Sequence, residues 1–154
     1  MIISYMMFDQ ANILSRKLLP RHFSEVGFNG LSDERLDVWN DFYRYIEKDG
    51  RLIIVTATKE NNVIGYISAV VSPHPHHKHL KFAMTDTLYL APEYRKCLNS
   101  GRVACRMIKM VEARAKELGA SYLQLVANAN YSIDSLADHL GYQMSDVVYC
   151  KRIK

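Results

Sequence analysis

The chain has 154 residues, so we expect a single domain over residues 1–154 with a core of its own. Hydrophobic residues make up 49% of the sequence and charged residues 23%, a balance that excludes a disordered or fibrous protein. The net charge of +4 permits an anionic ligand. It is small for a nucleic-acid-binding domain, and no nucleic-acid motif accompanies it.

The sequence also argues against a membrane or secreted protein. Its apolar runs are shorter than the about 18 residues of a membrane span. The apolar start lacks a basic segment and soon reaches Asp9, which is a poor match to a signal peptide. Cys97, Cys105 and Cys150 are odd in number and lack C-x-x-C spacing. We therefore expect free thiols and a cytoplasmic location.

The first third of the chain predicts one strand and two helices. Residues 2–7 read as a short strand, and apolar residues at helical spacing predict a helix over 10–23. A segment rich in turn formers follows. A second helix is predicted from a cap at Ser32 to Asp49-Gly50, with Trp39 and Tyr43 on its inner face.

Three consecutive strands are predicted in the middle of the chain. Residues 51–58 and 63–71 form a hairpin, and residues 82–90 form the next strand. The loop between the last two contains two prolines and a histidine cluster. Such close spacing in a loop differs from that of paired metal ligands on a scaffold, so we expect a solvated loop and no metal. The cluster comprises His74, His76, His77 and His79.

The last third alternates helices and strands. A long helix is predicted to end near Leu118, followed by a strand over 121–127 and a short helix over 132–140. Residues 142–153 are predicted to form a final strand, or two strands joined by a turn. The resulting order, β-α-α-β-β-β-α-β-α-β, predicts an α/β fold in which helices pack on a mixed sheet.

A polar loop separates Pro92, where a strand ends, from the long helix. Unpaired N–H groups at a helix N-terminus attract anions, and Gly101 and Asn99 allow close approach of a phosphate. We read this loop as a pyrophosphate cradle, although such a loop also occurs as plain protein surface. The basic residues around it are Arg95, Lys96, Arg102 and Arg106.

Two stretches carry a resemblance to a known family. The strand followed by Ala91–Arg95 and the loop resembles the acetyl-CoA-binding motif of the GCN5-related N-acetyltransferase (GNAT) family, whose R-x-x-G-x-G/A loop holds the CoA pyrophosphate. The loop here is degenerate: with Gly101 in the last glycine position, Asn99 replaces the first and one residue is inserted. The stretch Asn130–Tyr142 resembles the family's later block, an Asn, a short helix and L-G-Y.

The resemblance implies how acetyl-CoA would bind. The strand before the loop would splay from its parallel neighbour, and the pantetheine arm would pair with main-chain groups in that gap. The pyrophosphate would lie on the loop N–H groups, and Asn130 would contact the arm, or serve only as a helix cap. The implied cofactor-binding residues are Leu88, Tyr89, Leu90, Arg95, Lys96, Cys97, Leu98, Asn99, Ser100, Gly101, Arg102 and Asn130.

The resemblance also implies a chemistry, in which an amine attacks the acetyl thioester directly. Asp86 is the first candidate for the base, with a substrate-orienting carboxylate as the alternative. A backbone N–H near Leu88 would stabilise the oxyanion. Many relatives carry a tyrosine acid on the late helix, and Ala137 occupies that position here. The substitutes are water or one of three tyrosines, Tyr131, Tyr142 and Tyr149.

We therefore expect an N-acetyltransferase that uses acetyl-CoA and an amine of a small molecule or protein, with a homodimer as a possible assembly. The alternative is a non-catalytic acyl-CoA-binding or protein-interaction module on the same fold, supported by the altered loop and the absent tyrosine. Phe28 and Asn29 would border the acceptor site, and the histidine loop would lie near its entrance. Glu25, Asp33 and Glu34 would suit a cationic acceptor.

Overall fold

A computed structural model of the chain describes residues 1–26, 36–95, 100–128, 131–149, 151 and 153. For Val26 and Ser100 it describes the backbone only. The residues singled out above that lie outside the described part are Phe28, Asn29, Ser32, Asp33, Glu34, Lys96, Cys97, Leu98, Asn99, Asn130 and Cys150.

Within the described residues, five strands form one mixed sheet in chain order. The first four pair antiparallel, and the last two strands pair parallel. A parallel pair needs a crossover connection, which the long fifth helix provides. The strands are β1 (Ile2–Tyr5), β2 (Leu52–Lys59), β3 (Asn62–His74), β4 (His77–Leu90) and β5 (Tyr122–Gln124).

Six helices accompany the sheet in the described part of the chain. They are α1 (Phe8–Ser15), α2 (Leu19–Val26), α3 (Asn40–Lys48), α4 (Pro92–Arg95), α5 (Ser100–Glu117) and α6 (Asp134–Leu140). The single helix predicted over 10–23 is two helices. Pro20 has no N–H to continue the bonding of α1, and it is tolerated in the first turn of α2. Helical bonding of α3 begins at the Trp39 carbonyl, so the predicted earlier start is wrong for residues 36–38.

The main core lies between α5 and one face of the sheet. Apolar side chains of β2, β3 and β4 meet the helix there, and its central members are almost fully buried. These are Ile53, Val55, Ile67, Ala69, Ala83, Met107, Ile108 and Val111. A smaller cluster on the opposite face joins Leu18 to Tyr66 and Tyr89, so α1, α2 and α3 cover that side.

Two predictions about the strands need correction. The segment read as a solvated histidine loop mostly continues β3 and β4, because His74 pairs with His77 and the imidazole of His74 packs edge-on against Phe82. The predicted final strand is not formed in the described residues 142–149. Val147 and Val148 are 66% and 82% exposed there, since β5 pairs over only three residues and offers a short edge. Among the described residues, no helix is long and apolar enough to cross a membrane.

Candidate active site

The two parallel strands separate part-way along their length. β4 and β5 pair from Phe82 with Tyr122 to Met84 with Gln124, and no further. Two residues after Gln124, the N–H of Val126 donates to the Thr85 hydroxyl, at 2.8 Å, instead of to the β4 backbone. Among the described residues, β4 continues without a partner on this side to Leu90, so this half of the strand presents an unpaired edge to the gap.

The direction of the main-chain groups along this edge follows from the ladder. The N–H of Ala91 donates to the Ile64 carbonyl of β3, at 2.8 Å. Because main-chain groups alternate along an antiparallel strand, Tyr89 also faces β3, whereas Leu88 and Leu90 face the gap. The predicted main-chain ligands thus divide: the backbone of Leu88 and the N–H of Leu90 face the gap, and the backbone of Tyr89 does not.

A β-bulge directs the side chain of Asp86. Ser68 pairs with Thr87 and Ala69 with Thr85, so Asp86 is the extra residue and has no partner on β3. Its Oδ2 accepts hydrogen bonds from the Tyr43 hydroxyl of α3, at 2.8 Å, and from Ser68, at 3.4 Å. Burial, and secondarily the nearby carboxylate, raise the pKa of Tyr43, so its phenol remains a donor. The carboxylate is thereby fixed beside the gap.

A second group of polar side chains lies where α2 crosses β3 and β4. Nδ1 of His22 lies 2.6 Å from the Tyr66 hydroxyl, and the imidazole stacks on the Tyr89 ring with centroids 4.3 Å apart. His22 and Glu25, three residues apart, occupy the same face of α2. His22 was missed from the sequence because its partner is 44 residues away. The i, i+3 pairing with Glu25 was the one local signal.

Glu25 connects α2 to both walls of the gap. Its carboxylate accepts hydrogen bonds from the Tyr89 hydroxyl, at 2.9 Å, and from the guanidinium of Arg95. Its main-chain carbonyl accepts one from the Tyr131 hydroxyl, at 3.2 Å, beyond β5. The bond with Arg95 lowers the pKa of Glu25, so the carboxylate is charged at neutral pH.

The predicted phosphate ligands are placed unequally. Arg95 turns toward α2, where its Nε donates to the Leu90 carbonyl at 2.5 Å and its terminal nitrogens bond Glu25. The backbone of Ser100 and Gly101 and the exposed Arg102 lie in the first described turn of α5. A Cβ added to Gly101 would meet no described atom within 4 Å.

The predicted acid candidates on the last third of the chain are not brought to Asp86. The Tyr142 hydroxyl donates to Glu112 of α5, at 2.6 Å, on the opposite side of the sheet. Tyr149 is 92% exposed. Tyr131 reaches the Glu25 carbonyl across the gap. The tyrosine that the structure does bring to Asp86 is Tyr43.

Three features define the architecture of this site. They are the splayed parallel strands, the bulge that positions the Asp86 carboxylate, and the helix α5 that starts beside the gap. Residues 17–142 match the family model described as Acetyltransferase (GNAT) family. The chain belongs to the GNAT family. The match spans α2 to α6 and contains Asp86 and the α5 N-terminus, so the family and fold predicted from the sequence are confirmed.

Solved structures similar to this GNAT chain share its fold at low sequence identity. An aminoglycoside acetyltransferase from an uncultured soil metagenomic sample, in complex with sisomicin, has a TM-score of 0.71 at 13% identity, covering 99% of this chain and 96% of that one. A ribosomal-protein-alanine N-acetyltransferase from Brucella melitensis biovar Abortus 2308 has a TM-score of 0.68 at 17% identity, with coverage of 99% and 100%.

A third similar structure, a predicted acetyltransferase with acetyl-CoA from Clostridium acetobutylicum, has a TM-score of 0.69 at 17% identity. It covers 98% of this chain and 96% of that one. No curated protein matches the sequence. These similarities establish the acetyltransferase fold and leave the acceptor to be identified.

Proposed function

We propose that this GNAT chain transfers the acetyl group of acetyl-CoA to an amine of a small molecule or a protein, by direct attack of the amine on the thioester. The observation that carries the proposal is the unpaired edge of β4, where Leu88 and Leu90 face a gap beside the carboxylate of Asp86. The similar structure solved with acetyl-CoA supports that co-substrate.

The cofactor would use backbone groups at two places. The pantetheine arm pairs with the main-chain groups of Leu88 and the N–H of Leu90, which the ladder leaves unpaired. The pyrophosphate lies at the first turn of α5, where the N–H groups and the helix dipole favour an anion. We assign Arg95 to holding α2 rather than to a phosphate, because Glu25 and the Leu90 carbonyl already take its donors.

The reaction then follows from the groups around Asp86. The acceptor loses a proton from its ammonium, and the amine lone pair attacks the thioester carbonyl carbon. The N–H of Leu88 stabilises the developing oxyanion. The C–S bond breaks, its electron pair leaves with the CoA thiolate, and the thiolate takes a proton. Asp86, fixed by Tyr43 and Ser68, binds the ammonium.

Two measurements test the proposal. Calorimetric titration should show binding of acetyl-CoA and CoA and little binding of ATP. An assay of free CoA thiol, run with spermidine, an aminoglycoside and a peptide with a free N-terminus and a lysine, should then show turnover. Asp86→Asn should bind acetyl-CoA as the parent does and lose about 100-fold in kcat/KM. Binding without turnover for any amine would favour a non-catalytic acyl-CoA-binding module.

A further inference from the structure

His22 and Tyr66 form a polar pair that the mechanism above does not use. α2 places the imidazole over the β3–β4 ladder, with Nδ1 2.6 Å from the Tyr66 hydroxyl. Tyr66 is 7% exposed and pairs across the ladder with Tyr89, on which the imidazole stacks. A histidine held on one nitrogen and on one ring face has a fixed orientation, and its other nitrogen, Nε2, remains for a reaction.

The charged and titratable groups around the imidazole come from four elements. Glu25 and Arg21 share α2 with it, and Arg95 approaches from α4. Tyr66 of β3, together with Tyr89 and Asp86 of β4, face it from the sheet. Burial is the dominant influence and outweighs the attraction of the carboxylates, so the pKa of His22 is lowered and the imidazole is neutral at neutral pH.

The imidazole and the Asp86 carboxylate lie on the same side of the sheet. Tyr66 and Ser68 are two residues apart on β3, so their side chains share one face. Tyr66 contacts His22, and Ser68 contacts Asp86. The field of Asp86 accordingly acts on both His22 and Tyr66. An amine bound to the carboxylate therefore lies on the side of the sheet that also carries a neutral base.

We propose that His22 is a catalytic residue whose Nε2 takes the proton from the acceptor's ammonium while Asp86 holds that ammonium. This inference rests on the proposed acetyl transfer. One ammonium proton passes to His22 and from there to solvent, and the freed lone pair attacks the carbonyl carbon. The second N–H proton leaves as the amide forms, and the thiolate takes a proton. The net products are the amide, CoA thiol and one proton.

Tyr66 is the positioning residue in this arrangement. For Nε2 to accept a proton, the neutral imidazole must carry its hydrogen on Nδ1, and that N–H then donates to the Tyr66 oxygen. The low exposure of Tyr66 keeps water from competing for this bond. After removal of the Tyr66 hydroxyl, the imidazole hydrogen should therefore no longer be fixed on Nδ1, while the imidazole itself remains as the base.

The test compares pH profiles of kcat/KM for the parent, His22→Gln and Tyr66→Phe, with the best amine of the panel. The parent should lose activity as the imidazole is protonated, and because its pKa is lowered this limb should lie below the ordinary imidazole pKa of about 6.5. His22→Gln should lose about 100-fold at neutral pH and abolish that acidic limb. Tyr66→Phe should keep the limb, at a shifted pH, with a loss of about tenfold. His139→Gln, an exposed histidine of α6, is the matched control and should behave as the parent.

The outcomes separate this inference from the proposed function. Turnover by the parent with an unchanged acidic limb in His22→Gln would overturn the role of His22 and leave acetyl transfer standing. A uniform loss at every pH would show a structural role only and would also overturn it. Absence of turnover by the parent with every amine would overturn both proposals.

A second measurement does not depend on activity or on a folded variant. Nitrogen-15 NMR of the parent should show His22 as the Nδ1–H tautomer at neutral pH. An Nε2–H tautomer would overturn the inference, because Nε2 could not then accept a proton.

Discussion

Gly65 of β3 is required by the close approach of β4 beside the gap. A Cβ built on Gly65 would lie 2.8 Å from the Tyr89 carbonyl oxygen and 2.8 Å from Cδ1 of Leu90. The Leu90 side chain can rotate away, but the carbonyl oxygen belongs to the backbone, so β4 itself has to move. The φ of Gly65 is not positive, so the close approach of β4, and not the backbone conformation, excludes a side chain at this position.

Gly65→Ala should therefore destabilise the protein by about 2 kcal/mol. Because the clash is with a backbone atom, overpacking should cost the upper end of about 1–3 kcal/mol, and the lower entropy of the unfolded alanine chain offsets about 0.4–1 kcal/mol of that. In a chain of this size, this corresponds to a fall in Tm of about 4–8 °C. Because Leu90 moves with the strand, affinity for acetyl-CoA should fall as well.

Thermal and urea unfolding of the ligand-free protein provide the assay. Gly101→Ala is the matched control, because an added Cβ there meets nothing within 4 Å and alanine favours the first turn of α5. The control should leave Tm unchanged or raise it slightly. An unchanged or higher Tm for Gly65→Ala would refute the close approach of the two strands and, with it, the position of the unpaired edge.

Three further perturbations address the site. Tyr43→Phe removes a hydrogen bond to Asp86 and should lower kcat/KM for the amine about tenfold in the thiol assay, with the acetyl-CoA affinity unchanged in calorimetry. Glu25→Gln breaks the ion pair with Arg95, in which the Glu25 side chain is 21% exposed and the Arg95 side chain 34% exposed. The free energy of unfolding measured in urea should fall by about 2 kcal/mol. Since the pKa of Glu25 is lowered in the folded state, that stability is present above the unfolded pKa of about 4.3 and is lost as the pH falls below it. The pKa of His22 is also lowered, so on acidification the unfolded chain protonates this histidine before the folded protein does. The free energy of unfolding should therefore decline as the pH falls below about 6.5, by at most about 1.4 kcal/mol per pH unit.

Controls for these variants come from the same elements. Tyr45 lies on α3 and is 63% exposed, so Tyr45→Phe should leave kcat/KM unchanged. The pH-dependent loss of stability should be smaller in Glu25→Gln below about pH 4.3 and in His22→Gln just below about pH 6.5. An equal loss in the parent and the variant would contradict the assignment of that titration. An effect of Tyr43→Phe on acetyl-CoA binding alone would contradict its contact with Asp86.

Most of the sheet could be predicted from the sequence because its signals are local. The β-branched runs of β2 and β3 and the helical period of α5 each depend on neighbours within a few residues. The P-E-Y-R segment after β4 and the L-G-Y block indicated the resemblance to the GNAT family. These features predicted the gap and the helix beside it, and the structure has both.

The bulge at Asp86 could not be predicted from alternation. Read as a regular strand, β4 places Phe82, Met84 and Leu88 on one face. The bulge reverses the alternation, so that Ala83 and Leu88 both pack toward α5. The register change depends on how β3 pairs with β4. The residue pattern of β4 alone does not show this pairing.

The polar group under α2 was missed for a related reason. The contacts of His22 with Tyr66 and of Glu25 with Arg95 span 44 and 70 residues. The sequence predicts Arg95 as a phosphate ligand because it lies beside a basic loop. In the structure its guanidinium also donates hydrogen bonds to the Glu25 carboxylate on α2. Long-range pairing of this kind is decided by the packing of a helix on the sheet.

Amide hydrogen exchange of Leu88, Tyr89 and Leu90 by NMR, with and without acetyl-CoA, tests the central claim most directly. The N–H groups of Leu88 and Leu90 face the gap, and that of Tyr89 is bonded to β3. Acetyl-CoA should slow exchange at Leu88 and Leu90 well beyond any change at Tyr89. Equal exchange at Leu88 and Leu90 with and without saturating acetyl-CoA would show that the co-substrate does not pair with this edge, and would contradict the account.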